Sequence, residues 1–169
     1  AGTWNYWQAW MYLGVLFIPM LFVLAYLINK APELLERRMH MREERKEQRG
    51  ILKLSVPFFV LAYLLPGFDI RFGWSNMSAE ISISAAVIVF LAYLLVFRTM
   101  QVNSYLSRVI EVASGQKVID TDVYGIVRHP MYVGMTILYI ASPIALGSWW
   151  AAIPGLVIIP VIFFRILDE

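Results

Sequence analysis

Hydrophobic and polar positions divide the chain into long apolar blocks separated by charged stretches. The blocks are Trp10 to Ile28, Ile51 to Phe68, Ile81 to Phe97, and a stretch from Met131 to Phe164 that carries no charge. Each of the first three is long enough to cross a bilayer once as a helix, since the hydrocarbon core is about 30 Å thick. The fourth would reach about 50 Å at about 1.5 Å per residue, so it is expected to fold back on itself. The expected bend is "LGSWWAAIPG", where Gly147, Ser148 and Pro154 loosen a helix and Trp149 with Trp150 suit a membrane interface. The pattern predicts an all-α, polytopic membrane protein of about five spans that ends in a helical hairpin.

The charged stretches orient these spans. Lys30, Arg37, Arg38, Arg42, Arg45, Lys46 and Arg49 follow the first block, and Arg98, Arg108, Lys117 and Arg128 follow the third. Arg165 lies past the last, whereas the opposite side shows only Arg71. Cytoplasmic loops retain Lys and Arg, so the N-terminus is expected outside and the C-terminus in the cytoplasm. "PELLERRMHMREERKEQRG", with Pro32 near a helix start and Gly50 at a helix stop, predicts a surface helix whose arginines and His40 meet headgroups. Lys53 is placed to snorkel to the same surface and Pro57 to kink the second span. The third helix is expected to run on through about Val112, followed by a lid-like loop from Ser114 to Tyr124 that carries Asp120 and Asp122.

Composition sharpens the class. Hydrophobic residues make up 60% of the chain and charged ones 15%, far outside the balance of a soluble protein. Cysteine is absent, which excludes disulfides, thiolate metal sites and a cysteine nucleophile. His40 and His129 are the only imidazoles, so no metal centre is expected. No nucleic-acid partner is expected. The chain begins "AGTW" without methionine, consistent with processing or trimming. Its first block is longer than the core of a secretory signal, about 7 to 15 residues, and has no basic flank before it, so it reads as a span. The chain's shortness and its lack of targeting signals point to a prokaryotic plasma membrane.

The candidate chemistry lies in "YGIVRHPMYVG", residues 124–134, where Arg128 and His129 precede the longest apolar block. If that block is a hairpin, its two ends meet, and Arg128 and His129 face Arg165, Asp168 and Glu169. Ionisable groups at headgroup depth are functional candidates. The same residues also fit a plainer reading. Arginines are expected at a cytoplasmic helix end, Asp168 and Glu169 at the wet end of a span, His129 before a Pro130 that starts a helix, and Tyr124, Tyr132 and Tyr139 as interface anchors. Spacing alone does not decide. A transporter is disfavoured, because the later spans hold no mid-membrane charge and no inverted repeat, and Ser84 and Ser142 read as helix-packing residues.

The combined string "GQKVIDTDVYGIVRHPMYVG", followed after about 30 residues by "RILDE", resembles the membrane-embedded isoprenylcysteine carboxyl methyltransferases and their phospholipid N-methyltransferase relatives. The resemblance covers Arg98 to Glu169. It implies S-adenosylmethionine as methyl donor, bound at the cytoplasmic side, and membrane lipids with a lipophilic methyl acceptor as partners. It implies a donor cradle of Gln116, Lys117, Val118, Ile119 and Tyr124, continued by His129, Pro130, Met131 and Tyr132, with Glu169 as the acid that helps to hold the donor. Arg165 corresponds to the basic residue that faces the acceptor, and Arg128 is the second candidate for that task. The acceptor expected from the resemblance is a carboxylate such as a prenylcysteine terminus. A phospholipid or other small amine is the alternative, and a non-catalytic scaffold or sensor is the rival of another class.

Residues 1–169 are expected to form a single domain. The family pattern departs from this chain twice. It has a Gly-Pro or similar turn where Asp122 and Val123 stand here, and it continues past Glu169 with a second glutamate and a further helix, so that either the sequence is truncated or trimmed there or one wall of the pocket is expected to be missing.

Overall fold

The computed structural model describes residues 1–39, 46–103, 105–106 and 119–168. They form α1 (Trp7–Lys30), α2 (Pro32–Met39), α3 (Lys46–Phe72), α4 (Ala79–Val102), α5 (Val123–Ile126), α6 (Pro130–Ala145), α7 (Ala152–Leu156) and α8 (Ile158–Asp168), with no strand among the described residues. Three helices are long and apolar enough to cross a membrane: α1, the Ser55–Phe72 part of α3, and α4. The two arms of the last apolar block, Pro130–Ala145 and Ala152–Leu167, are apolar but shorter. Their exposed surfaces are greasy: Phe17, Ile18, Leu21 and Phe22 on α1 and Phe163, Phe164 and Leu167 on α8 all face outward. Such continuous apolar exposure suits lipid and not water.

The last block does turn back, at the predicted place. Gly147 adopts a φ of 86°, a conformation open to glycine, and its N–H donates to the Ile144 carbonyl at 2.9 Å while Ser148 N–H donates to the Pro143 carbonyl at 3.1 Å. The Ser148 hydroxyl accepts from Ala151 N–H at 3.1 Å, which starts the return arm. Pro32 and Pro130 open α2 and α6, where a missing N–H costs nothing.

Three expectations need correction. The third apolar block does not continue as a helix to Val112: α4 stops at Val102, because Asn103 caps it, its N–H donating to Thr99 O at 3.0 Å and its side chain accepting from Tyr105 N–H at 3.0 Å. Asparagine competes for backbone donors in just this way at helix ends. Gly50 is not a helix stop but lies inside α3, which begins at Lys46 and carries both Pro57 and Pro66. Ser84 is no packing residue within this chain, since it sits on the exposed side of α4. His40 lies outside the described residues.

The tightest packing joins α4 to α6. Ala85, Ala86, Val89, Ala92 and Val96 of α4 are buried, as are Gly134, Ala141, Ser142 and Ala145 of α6. Small side chains let two backbones approach, which is how helices associate where lipid removes the hydrophobic incentive. A Cβ at Gly134 would lie 2.7 Å from Val96 Cγ2 and 3.3 Å from the Ala92 carbonyl. Gly155 of α7 approaches the α6 backbone itself, with a Cβ position 2.7 Å from the Tyr139 carbonyl.

Buried polar groups tie the remaining helices to this pair. Asp69, 1% exposed near the end of α3, accepts from Ser75 N–H at 2.6 Å and from the Ser75 hydroxyl at 2.7 Å, and also from the Ser148 hydroxyl of the hairpin bend. Tyr6 donates to the Leu146 carbonyl at 2.5 Å; burial, with the Asp69 carboxylate adding to it, pushes its phenol well above the usual range and keeps the donor proton in place. Tyr12 of α1 donates to Ser142 at 2.9 Å and lies 3.1 Å from the Tyr63 hydroxyl of α3. Ser142 is thus the packing residue expected, and it also accepts a hydrogen bond inside the bundle.

Close packing at the two glycines gives a graded expectation. Gly155→Ala should destabilise most, by about 1 to 3 kcal/mol, because its methyl meets a backbone carbonyl. Gly134→Ala should cost less and be partly rescued by Val96→Ala, which removes the nearest methyl, while Gly14→Ala should be neutral, since nothing lies within 4 Å. Thermal midpoints in detergent, measured for the four variants, check the order.

Candidate active site

Both ends of the hairpin come together at one residue, Tyr132 of the first turn of α6. Arg165 of α8 donates from Nε to the Tyr132 hydroxyl at 3.2 Å, and the His129 ring lies 5.8 Å from the Tyr132 ring, centroid to centroid. The chain separation makes this a tertiary contact: Tyr132 stands at the start of the first arm and Arg165 near the end of the second. The expected meeting of His129 with Arg165 is therefore made through a phenol. Arg128 is exposed beside them. The described part of Asp168 is its place as the last residue of α8.

Local sequence explains why these residues stand where they do. His129 occupies the N-cap position of α6 in non-helical backbone, and Pro130 follows as its first helical residue. One and two residues on, Met131 packs against the cluster of Val23, Leu27, Leu34, Val96 and Met100, and Tyr132 is half-buried. Gly134 then locks the same turn onto α4. The "HPMYVG" run thus reads as cap, helix start, core contact, site residue and close approach in succession.

On the other side of His129, residues 119–127 form a short strap that includes α5. Its backbone is folded tightly, with Gly125 N–H donating to Asp122 O at 3.1 Å and Val127 N–H to Val123 O at 3.1 Å. Tyr124 accepts from the Asn103 side-chain amide at 2.8 Å, which ties the strap to the end of α4. Arg98 grips Asp122 with two bonds, Nη2 to Oδ2 at 2.5 Å and Nε to Oδ1 at 3.1 Å. That guanidinium holds the Asp122 carboxyl below the usual carboxylate range. A depressed folded value means that the pair is intact above the ordinary carboxylate pKa and is lost only on acidification through the depressed one.

Of the predicted cradle, Ile119 and Tyr124 lie on the strap, and His129, Pro130, Met131 and Tyr132 on the adjoining helix start. Pro130 is buried and Met131 faces the core, so these two support the site from behind. Gln116, Lys117, Val118 and Glu169 lie outside the described residues. No cluster of three metal-ligating side chains occurs among the described residues. Sequence reasoning passed over Arg98 and Asn103, counting the first only as a positive-side marker and placing the second inside a helix. The readable signal was an asparagine at the end of an apolar period.

A family model for phospholipid methyltransferases matches residues 81–169, from the start of α4 through the strap and the whole hairpin. The chain belongs to the phospholipid methyltransferase family. Comparison with curated proteins and with solved structures returns no match. The family match covers the elements that build the site, α4, α5, α6 and α8, whereas α1–α3 lie outside it. With its apolar helices, family membership makes this an integral membrane protein of a methyltransferase family.

The contact across the hairpin can be checked without any ligand. Because the chain has no cysteine, Tyr132→Cys with Arg165→Cys gives a clean pair. It should be cross-linked in intact membranes by a short bifunctional thiol reagent, whereas Ile126→Cys with Arg165→Cys should link far less; gel mobility after protease cleavage in the bend reads the result.

Proposed function

We propose that this protein transfers a methyl group from S-adenosylmethionine to a lipophilic acceptor at the cytoplasmic membrane face. The carrying observation is the bond from Arg165 to Tyr132 beside His129, which makes one polar site out of the two ends of an otherwise apolar hairpin. The concentration of basic residues at this end of the spans supports the cytoplasmic placement.

The residues fit the methyl donor by type. It carries a carboxylate, an ammonium, ribose hydroxyls and a sulfonium, and the site offers guanidinium and imidazole donors with the aromatic faces of Tyr124 and Tyr132. His129 and Tyr132 would hold it from the helix side and Ile119 and Tyr124 from the strap. Gln116, Lys117, Val118 and Glu169 are proposed to complete the cradle. When bound, the donor supplies an electrophilic methyl group, and little acid–base chemistry is required of the protein if the acceptor is already an anion. What the chain contributes is alignment and partial exclusion of water. Arg165, steadied by Tyr132, orients the acceptor, and Arg128 assists from the exposed side.

An apolar groove supports a lipophilic acceptor. A cavity of about 280 Å³ lies between α3 and the return arm, lined by Ser55, Phe59, Ala62, Tyr139, Gly155 and Ile158 among others. Tyr139 and Ile158 each stand two helical turns from Tyr132 and Arg165 on their own helices, about 10 Å along the axis. A hydrocarbon tail in the groove would therefore bring its polar head to the Tyr132–Arg165 pair. The cationic character of that pair favours an acceptor carboxylate such as a prenylcysteine terminus. The family match favours a second reading, a phospholipid amine whose phosphate meets Arg165.

The test is calorimetric binding of S-adenosylhomocysteine to the detergent-purified chain, followed by transfer of a labelled methyl group into lipid extracts. Binding should weaken about 10- to 100-fold in His129→Ala, the range expected for the loss of a charge-assisted hydrogen bond. Arg165→Ala should lower transfer more than binding. Label released as methanol by alkali identifies a carboxylate acceptor, and alkali-stable label identifies an amine. Ala62→Trp should block transfer to long-chain acceptors and leave S-adenosylhomocysteine binding intact. Absence of binding and transfer by the wild-type chain would favour the scaffold.

A further inference from the structure

Asp122 is the only non-glycine residue among those described with a positive φ, at φ 57° and ψ −126°. Side chains with a Cβ rarely adopt that backbone, so something must hold it there. Two kinds of contact do so. The Asp122 carboxylate accepts from its neighbour Val123 N–H at 2.9 Å, and it receives the two-pronged grip of Arg98 from α4. Arg98 is itself steadied by Gln101, one turn on, which accepts from its Nη1 at 3.3 Å. A forked guanidinium fixes direction as well as distance, which a lysine could not do.

The effect of this grip falls on His129, seven residues further along the chain than Asp122. The strap ends at Val127, and Arg128 alone separates it from His129. Beyond His129, Met131 and Gly134 are packed on the same helix, α4, that carries Arg98 and is capped by Asn103. His129 is thus suspended between two attachments to one helix: an apolar one on its C-terminal side and a polar one on its N-terminal side. The apolar one is closely packed, with Gly134 buried against α4. The polar one is half-exposed, with Arg98 and Asp122 side chains 53% and 34% accessible, and exposed ion pairs add little to global stability. Its effect is local.

We propose that Arg98 and Asp122 are a positioning pair, a latch that holds the 119–127 strap against α4 and thereby sets Tyr124 and His129 for the bound methyl donor. The effect on ligand rests on the methyltransferase reading; the latch itself does not. Neither side chain needs to touch the donor. The pair accounts for the aspartate standing in a backbone conformation that glycine would adopt freely: glycine there would relieve the strain and release the strap.

Hydrogen exchange on the full chain in lipid nanodiscs tests this, comparing wild type with Arg98→Met, Arg98→Lys, Asp122→Asn and Asp122→Gly. The Gly125 and Val127 amides, which donate within the strap, should exchange about tenfold faster in Arg98→Met, Asp122→Asn and Asp122→Gly, as loss of a charge-assisted bond predicts. Arg98→Lys should be intermediate, and about 1 M salt should mimic the loss in the wild type, where the Debye length falls to about 3 Å. Thermal midpoints should stay unchanged, which separates release of the strap from unfolding. Unchanged exchange in Arg98→Met and Asp122→Asn would overturn the latch. In parallel, Kd for S-adenosylhomocysteine should rise in the variants whose strap is released; faster exchange with unchanged Kd would overturn the positioning role. If the wild type binds no S-adenosylhomocysteine, the methyl-donor reading fails while exchange still decides the latch.

Discussion

How closely α6 can approach α4 is the constraint on which the rest depends. The sixteen residues of α6 rise about 24 Å, short of a hydrocarbon core of about 30 Å, so this arm cannot be held in place by membrane thickness alone. Its position comes from contact with a longer helix. That contact has few large side chains to interlock. It depends on Gly134, Ala141 and Ala145 meeting Ala85, Val89, Ala92 and Val96 at short range, where dispersion between backbones replaces the missing hydrophobic drive. Once α6 is fixed, Tyr132 has a defined depth, and Arg165 can find it from the other arm.

Polar satisfaction fixes the opposite end. The hairpin bend brings backbone groups and serines into a region where each unpaired one would cost several kcal/mol. Asp69 resolves this for three donors at once, two from Ser75 and one from Ser148, and so couples the α3–α4 connection to the bend. Tyr6 takes the Leu146 carbonyl. The bundle is therefore pinned by hydrogen bonds at one end, by small-residue contact along its length, and by an exposed ion pair at the other end. The three fastenings differ in what weakens them. Salt reaches only the last.

Much of this architecture could be read from hydrophobic blocks, because a bilayer penalises polar residues more uniformly than a protein core does. The spans of α1, α3 and α4 and the fold-back at Gly147 follow from block length and glycine chemistry. Reading failed where a local hydrogen bond outweighed periodicity. Asn103 ends α4 because its side chain and N–H both find partners, yet "FRTMQVNSYLSRVIEV" alternates well enough to continue as a helix. Asp69 was hidden for a different reason: one acid near the end of a span looks like an interface residue until its three donors, from 6 and 79 positions away, are seen. The site was legible through the "RHPMY" string and the hairpin logic that brings Arg165 to it. The phenol that joins the two arms was not, because an aromatic near a helix start is equally at home in the interfacial belt.

The arrangement also bears on why the site proposed for methyl transfer should be assembled from such unequal parts. In-line displacement tolerates little misalignment, so groups proposed to aim an acceptor belong on rigid elements, and Tyr132 and Arg165 stand on packed helices. The proposed water-soluble donor and membrane-bound acceptor would nonetheless arrive from different phases and leave again. A site rigid on every side would admit neither. The helical wall meets the groove beside α3, where the proposed acceptor would slide in laterally, and the strap is held by the exposed Arg98–Asp122 pair, where the proposed donor would exchange. In that reading, close helix packing on one side and an exposed, salt-sensitive pair on the other let one wall yield while the alignment of the other is preserved. His129, between the packed helix and the tethered strap, is the residue at which these two requirements meet.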